Sequence, residues 1–150
     1  IVLGKMTVSM ALALLSMTVI ILGTGLLLGA TWGDPVAIAA LVVSAAVAAV
    51  GISLLAVAFT RTEEQAGSAI AIVTLSLAVL GGSFFPANQG PELLSKLSLI
   101  TPHAWFLRGV NDLSSGGDIS TITSPLLVLL AIGLVTGGLG MLRARKMVMD

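Results

Sequence analysis

Gly81-Gly82-Ser83-Phe84-Phe85-Pro86, answered by Thr101-Pro102-His103-Ala104-Trp105-Phe106, is where this chain stops reading as a membrane helix. On either side lie long apolar runs almost free of charge. The segment between them is aromatic and punctuated by Gly and Pro. It is about thirty residues long, against the ~2–8 residues that join most packed helices. In a bilayer protein, irregular chain of this length between two spans shapes a mouth, a gate or a pathway. Its meaning depends on which side of the membrane it faces.

Composition places the chain in a bilayer. Hydrophobic residues make up 57% and charged residues 9%, whereas soluble domains carry about 25% charged residues. The absence of cysteine excludes disulfides, thiolate metal sites and cysteine nucleophiles. A net charge of zero gives no footprint for nucleic acid. The chain opens Ile1-Val2-Leu3 with no basic flank before an apolar core, which reads as a start inside a larger protein and not as a signal peptide.

Charges divide the chain into spans at about 6–30, 36–60, 66–85 and 122–142. From Met6 to Gly33 there is no charged residue, and about 25 helical residues rise ~37 Å, enough to cross a ~30 Å hydrocarbon core with tilt. Asp34-Pro35 marks a turn, and Val36 to Thr60 is again uncharged up to Arg61-Thr62-Glu63-Glu64-Gln65. The third run is expected to stop at Pro86. The fourth starts near Pro125, which suits a first helical turn, and ends before Arg143-Ala144-Arg145-Lys146. One Asp, Lys or Arg at a helix centre costs ~2.5–3.5 kcal/mol on insertion scales, so each charge-free run supports the same boundaries.

With these spans, Lys5, the Arg61 loop and the Arg143/Arg145/Lys146 tail share one face, and Lys96 and Arg108 lie on the other. The positive-inside rule makes the first face, and the C-terminus, cytoplasmic. Trp32, Phe84, Phe85, Trp105 and Phe106 then fall on the outer side, with Phe59 at the inner rim. Close packing in lipid relies on small residues and hydrogen bonds. Gly25-xxx-Gly29, Ala45-xxx-Ala49 and Gly133-xxx-Gly137 are candidate flat faces. Ser9, Ser16, Thr18, Thr24, Ser44, Ser53, Thr74, Ser76 and Thr136 are candidate interhelical hydroxyls.

The outer segment, about 86–118, resolves into pieces. Ala87-Asn88-Gln89-Gly90 is a turn. Pro91-Glu92 opens a short amphipathic helix to Ile100, Pro102 interrupts, and Ala104 to Leu113 forms a second. Arg108 and Asp112 have the spacing of a surface ion pair. Ser114 to Asp118 is a flexible exit. Each helix is too short to cross, so the pair either lies on the bundle as a seal or dips in as a re-entrant hairpin. Gly81-Gly82 favours the hairpin, because glycines let a span end and turn sharply.

The order of an apolar span, Gly-Gly-Ser-Phe-Phe-Pro, a short amphipathic helix, Thr-Pro-His-Ala-Trp-Phe-Leu-Arg-Gly and a final span with a basic tail resembles the C-terminal part of type-2 ABC exporter permeases. Arg61-Thr62-Glu63-Glu64-Gln65-Ala66 resembles that family's cytoplasmic loop before the fifth span, and Gly4-Lys5 the foot of its third. On this alignment the four runs match the third to sixth spans of a six-span subunit. The resemblance implies a permease in the plasma membrane that pairs with a second permease copy and binds an ABC ATPase, which would use the ATP and Mg; this chain would hold no cofactor. It further implies export of a drug, lipid-like or other amphipathic solute. Gly81, Gly82, Phe84, Phe85, Pro86, Pro102 and Trp105 would shape the outer gate. The family's first two spans and its coupling helix are not in this sequence, so Lys5, Arg61, Glu63 and Glu64 are candidates only for the edge of the ATPase contact.

Other chemistries find less support. His103 is the only histidine, which excludes a His-rich metal site or a paired acid and base; it reads as a helix-entry or interfacial residue. No Walker loop appears, so ATP hydrolysis belongs to another chain, and the expectation is a non-enzymatic transporter. An ion-coupled carrier keeps an Asp, Glu or His inside the membrane, and none lies within the four runs, although backbone carbonyls and hydroxyls could hold sodium. A non-transporting membrane scaffold is the third reading. Arg61, Glu63 and Glu64 read more simply as a solvated turn, with the carboxylates favouring the start of the next helix. The expected fold is an all-α integral membrane bundle of four spans, with an outer helical hairpin before the last.

Overall fold

Asp34 and Pro35 start the helix around which the bundle is organised. The computed structural model describes residues 2–84 and 92–149. Among them the regular elements are all helices: α1 (Val2–Leu28), α2 (Pro35–Val57), α3 (Glu63–Leu80), α4 (Glu92–Ser98), α5 (Pro102–Ser114) and α6 (Thr123–Met149). Four of these, α1, α2, α3 and α6, are long and apolar enough to cross a membrane. The protein is therefore an all-helical membrane bundle.

Local chemistry explains the helix boundaries. The Asp34 carboxylate accepts from Val36 N–H at 2.8 Å, satisfying a free donor of the first turn, and Pro35 at the first helical position lacks one. The Thr62 hydroxyl accepts from Gln65 N–H at 3.2 Å, while the Gln65 side chain accepts from Arg61 N–H at 3.1 Å. This reciprocal pair is close to a capping box. Glu63 and Glu64 occupy the first turn of α3, where the helix dipole favours negative charge.

The third span ends earlier than the position of Pro86 suggests. Gly82 N–H donates to Val79 C=O at 3.4 Å and Ser83 N–H to Ala78 C=O at 3.0 Å, with Gly82 at φ 84°. This is a Schellman closure with glycine in the left-handed position. Glycine, not proline, terminates α3. Likewise α1 stops at Leu28 and is followed by Gly29 at φ 67°.

The core lies between α2, α5 and α6, where Leu41, Leu113, Ile122 and Leu129 are fully buried. By contrast, α3 has no buried residue, and nor does the described part of α1. Large apolar side chains on both, such as Leu15 and Ile72, are exposed. The α2–α6 seam is the closest helix contact. A Cβ on Gly133 would fall 2.6 Å from the Val47 carbonyl carbon and oxygen, and one on Gly140 2.9 Å from Leu54 C and Leu55 N. Val47 matches Gly133 and Leu54 matches Gly140, so the two helices run parallel with their backbones touching. This is the small-residue packing expected where hydrophobicity cannot drive association.

Of the candidate flat faces, Gly133-xxx-Gly137 is real: Gly137 faces the Gly51 Cα. Ala45-xxx-Ala49 is not continuous, since Ala45 is buried and Ala49 exposed. Gly25 faces the Trp32 ring and not another helix; the Trp32 indole donates back to Ile21 C=O at 3.0 Å. Several hydroxyls expected to link helices instead bond within their own. Thr24, Ser44, Ser76 and Thr136 each donate to the carbonyl four residues earlier, at 2.6–2.8 Å. In lipid this satisfies the hydroxyl without any neighbouring helix.

At the other end of the seam the Arg143 Nε donates to the carbonyl of Ala58, the C-cap of α2, at 3.1 Å. Its guanidinium lies 4.2 Å from the Phe59 ring centroid. A cation on the last carbonyls of a helix complements its dipole. Met6 and Ser9 of α1, Arg61 and its neighbours in the α2–α3 turn, and Ala144 of α6 line one cavity, so these three parts of the chain share one end of the bundle.

Candidate functional site

Away from the basic end, the two motifs that interrupt the spans meet. Gly81 packs on the turn between α4 and α5 so closely that a Cβ would lie 2.5 Å from His103 Cβ and 2.6 Å from Thr101 Oγ1. The adjacent glycines thus serve different needs. Gly81 allows close approach, and Gly82 supplies a left-handed backbone that a side chain would strain.

Thr101, 1% exposed, holds the turn from within. Its hydroxyl donates to Ser98 C=O at 2.7 Å and accepts from Ala104 N–H at 3.3 Å, joining the end of α4 to the start of α5. Pro102 follows at the first helical position. One turn later the Trp105 indole donates to Leu99 C=O at 2.7 Å, clasping the same turn from the other side. The Arg108 guanidinium lies 4.9 Å from the Trp105 ring centroid, a cation–π contact in place of the expected pair with Asp112. Lys96 pairs with Glu92 at 2.7 Å on the exposed face of α4.

Thr101→Val keeps the shape and removes both hydrogen bonds. The expected cost is ~0.5–2 kcal/mol, the range for losing a helix N-cap, read as a lower thermal midpoint in detergent.

From this turn α5 lies along the core pair. Gly109 sits against Leu41 and Pro125, and a Cβ there would be 2.8 Å from Leu41 Cδ1. Leu113 is buried beside Gly33 at the start of α2. Pro102, at the other end of α5, shares a groove with Ile52 and Ile132. Hence α5 runs antiparallel to α2, from the rim at Leu113 towards the middle of the long helices at Pro102.

His103 Nδ1 is buried and has no hydrogen-bond partner among the described residues. Burial pushes the imidazole below its ordinary value near 6.5, because charge is disfavoured where water is excluded. The unfolded chain then takes up a proton more readily than the folded one, so acidification below about 6.5 destabilises the fold and stability recovers above it. The thermal midpoint of the protein is expected to fall across that window more steeply than that of His103→Leu.

The structure thus brings Gly81, Gly82, Pro102 and Trp105 into one elbow. Phe84 is 60% exposed just past the Schellman turn. Phe85 and Pro86 lie outside the described residues. Sequence reasoning passed over Thr101 and Gly109. Thr followed by Pro is a recognisable helix-start signal that could have marked Thr101, whereas nothing local singles out Gly109.

At the basic end, a cavity of about 450 Å³ is lined by Arg61 and Glu63, by apolar residues such as Val50 and Ile70, and by Ser9 and Ser53. Arg61, Glu63 and Glu64 are exposed, as a solvated turn requires. The side chain of Lys5 is outside the described residues. Among those residues no group of His, Asp and Glu could hold a metal ion.

Four crossing-length helices, a glycine-closed span docked on a helical elbow, and a basic opposite end define a multi-pass membrane protein. The sequence profile described as ABC-2 family transporter protein matches residues 1–142, and the chain belongs to that family of transporter permeases. It is similar to the linearmycin resistance permease protein LnrN of Bacillus subtilis (strain 168), with 28% identity over 129 residues, 84% of this chain and 34% of that relative. The chain thus spans about a third of that permease's length. No solved structure matches it.

Proposed function

We propose that this chain is the C-terminal portion of the six-span permease of an ATP-driven exporter. It would move a drug, lipid-like or other amphipathic solute outward across the plasma membrane. The supporting observation is the docking of Gly81 on Thr101 and His103, away from the basic residues. A span that ends by resting on a hairpin can open or close an exit there by a small relative shift.

On this reading the basic end is cytoplasmic. The hairpin α4–α5 is re-entrant, which accords with Pro102 sharing a groove with mid-helix Ile52 and Ile132. The cavity at the basic end, apolar with a polar rim, suits entry of an amphipathic solute. Resistance to linearmycin, in the name of the similar permease, accords with such cargo. A separate ABC ATPase supplies the energy and a second permease copy completes the pathway. Lys5, Arg61, Glu63 and Glu64 stand at the end where the ATPase would dock.

The test is transport by the full-length permease reconstituted with its ATPase. Export is expected to require ATP and to survive collapse of proton and sodium gradients. Loss of export on gradient collapse would point to an ion-coupled carrier, and no transport at all to a scaffold.

A further inference from the structure

A second cavity, a groove of about 370 Å³, opens between α2, α3 and α6. Ile52 and Ala56 of α2, Phe59 just past its C-cap, Val73 and Leu77 of α3 and Ile132 of α6 line it. From Ile52 to Ala56 the α2 wall rises ~6 Å along the helix, and Phe59 extends it past the helix end. The α4–α5 turn closes one end, at Pro102. Thr136 contributes the wall's hydroxyl, which already donates to Ile132 C=O at 2.7 Å. The interior therefore selects for hydrocarbon.

Polarity appears at the other end, where Phe59 carries the Arg143 guanidinium 4.2 Å from its ring centroid. Arg143 lies in the last turn of the crossing segment Thr123–Ala144, the depth of lipid headgroups. Guanidinium has five donors, and the bond to Ala58 engages Nε. The terminal nitrogens remain for a phosphate, which guanidinium binds in bidentate fashion. Arg145 and Lys146 follow in sequence.

We infer that this groove seats one anionic phospholipid, its phosphate on Arg143 and an acyl chain along the α2–α3–α6 walls. Charge complementarity argues for that occupant, since an apolar trough ends in a cation at headgroup depth. A lipid there would wedge α3, which has no buried residue of its own, against the α2–α6 seam. The inference holds whether or not the protein exports, because it rests on the groove and the cation alone.

The test uses the full-length permease, purified and delipidated in detergent, with phosphatidylglycerol or phosphatidylcholine added back and bound lipid counted by native mass spectrometry. Phosphatidylglycerol is expected to bind roughly fivefold tighter than phosphatidylcholine, the increment that one cation near a bilayer surface gives an anionic lipid. Arg143→Gln should remove that preference, weakening phosphatidylcholine, whose choline offsets its phosphate charge, far less than phosphatidylglycerol. Ala56→Trp, or Val73→Phe should the first fail to fold, fills the groove and should weaken both lipids. Equal affinity for the two lipids, a preference that survives Arg143→Gln, or binding untouched in the folded groove-filling variant would each overturn the inference.

Discussion

Gly133→Val is expected to lower the thermal midpoint of the protein more than the same change at Gly138, on the same helix. At Gly133 the new Cβ meets Val47 backbone at 2.6 Å and the Val47 side chain at 2.7 Å, whereas at Gly138 nothing lies within 4 Å. Added methylenes in a packed core cost ~1–3 kcal/mol when side chains can adjust. Here the obstacle is main chain, so α2 and α6 must separate and the expected loss sits at or above the top of that range. Gly51→Val approaches the same seam from α2, meeting Thr136 Oγ1 at 2.7 Å, and should match it. Midpoints followed by size-exclusion fluorescence in detergent decide the matter. Equal values for the Gly133 and Gly138 variants would mean that the seam does not hold the bundle together.

Gly81→Leu and Gly82→Leu are expected to reduce export about tenfold or more while leaving insertion and ATPase binding intact. A tenfold change needs only ~1.4 kcal/mol of barrier. A side chain at Gly81 collides with Thr101, His103 and the Leu77 carbonyl, and one at Gly82 is strained by its φ of 84°. Either strain reaches that scale. Trp105→Ala acts differently, removing the indole bond to Leu99 and the platform under Arg108. Because the elbow loosens without a clash, its export should also fall. Transport by reconstituted vesicles, alongside ATPase pull-down, separates gating from assembly. Normal export in all three would make the elbow a static seal.

Much of the architecture is legible because lipid makes composition nearly decisive. A charge inside a span is costly, so each of the four charge-free runs falls largely on one of the crossing-length helices α1, α2, α3 and α6. Pro and acidic residues then mark the starts of α4 and α5. Pro86 misplaces the end of α3 for a physical reason. Proline is a visible breaker, but Gly82 closed the helix first through hydrogen bonds that depend on backbone handedness. The hydroxyls were misjudged for a similar reason, since a carbonyl one turn back is always available whereas a neighbouring helix is not.

The sequence by itself determined that this protein lies in a membrane, that it holds four runs of crossing length, which motifs interrupt them and, through those motifs, the transporter family. Those properties follow from residue-by-residue transfer energies and short-range turn chemistry. Only the tertiary structure decided that α2 and α6 form the close seam, that Gly81 rests on Thr101 and His103, and that Arg143 caps α2 beside Phe59. Such contacts join residues far apart in the chain. Whether a glycine is a spacer or a contact depends on what stands opposite it, and nothing in its own neighbourhood records that.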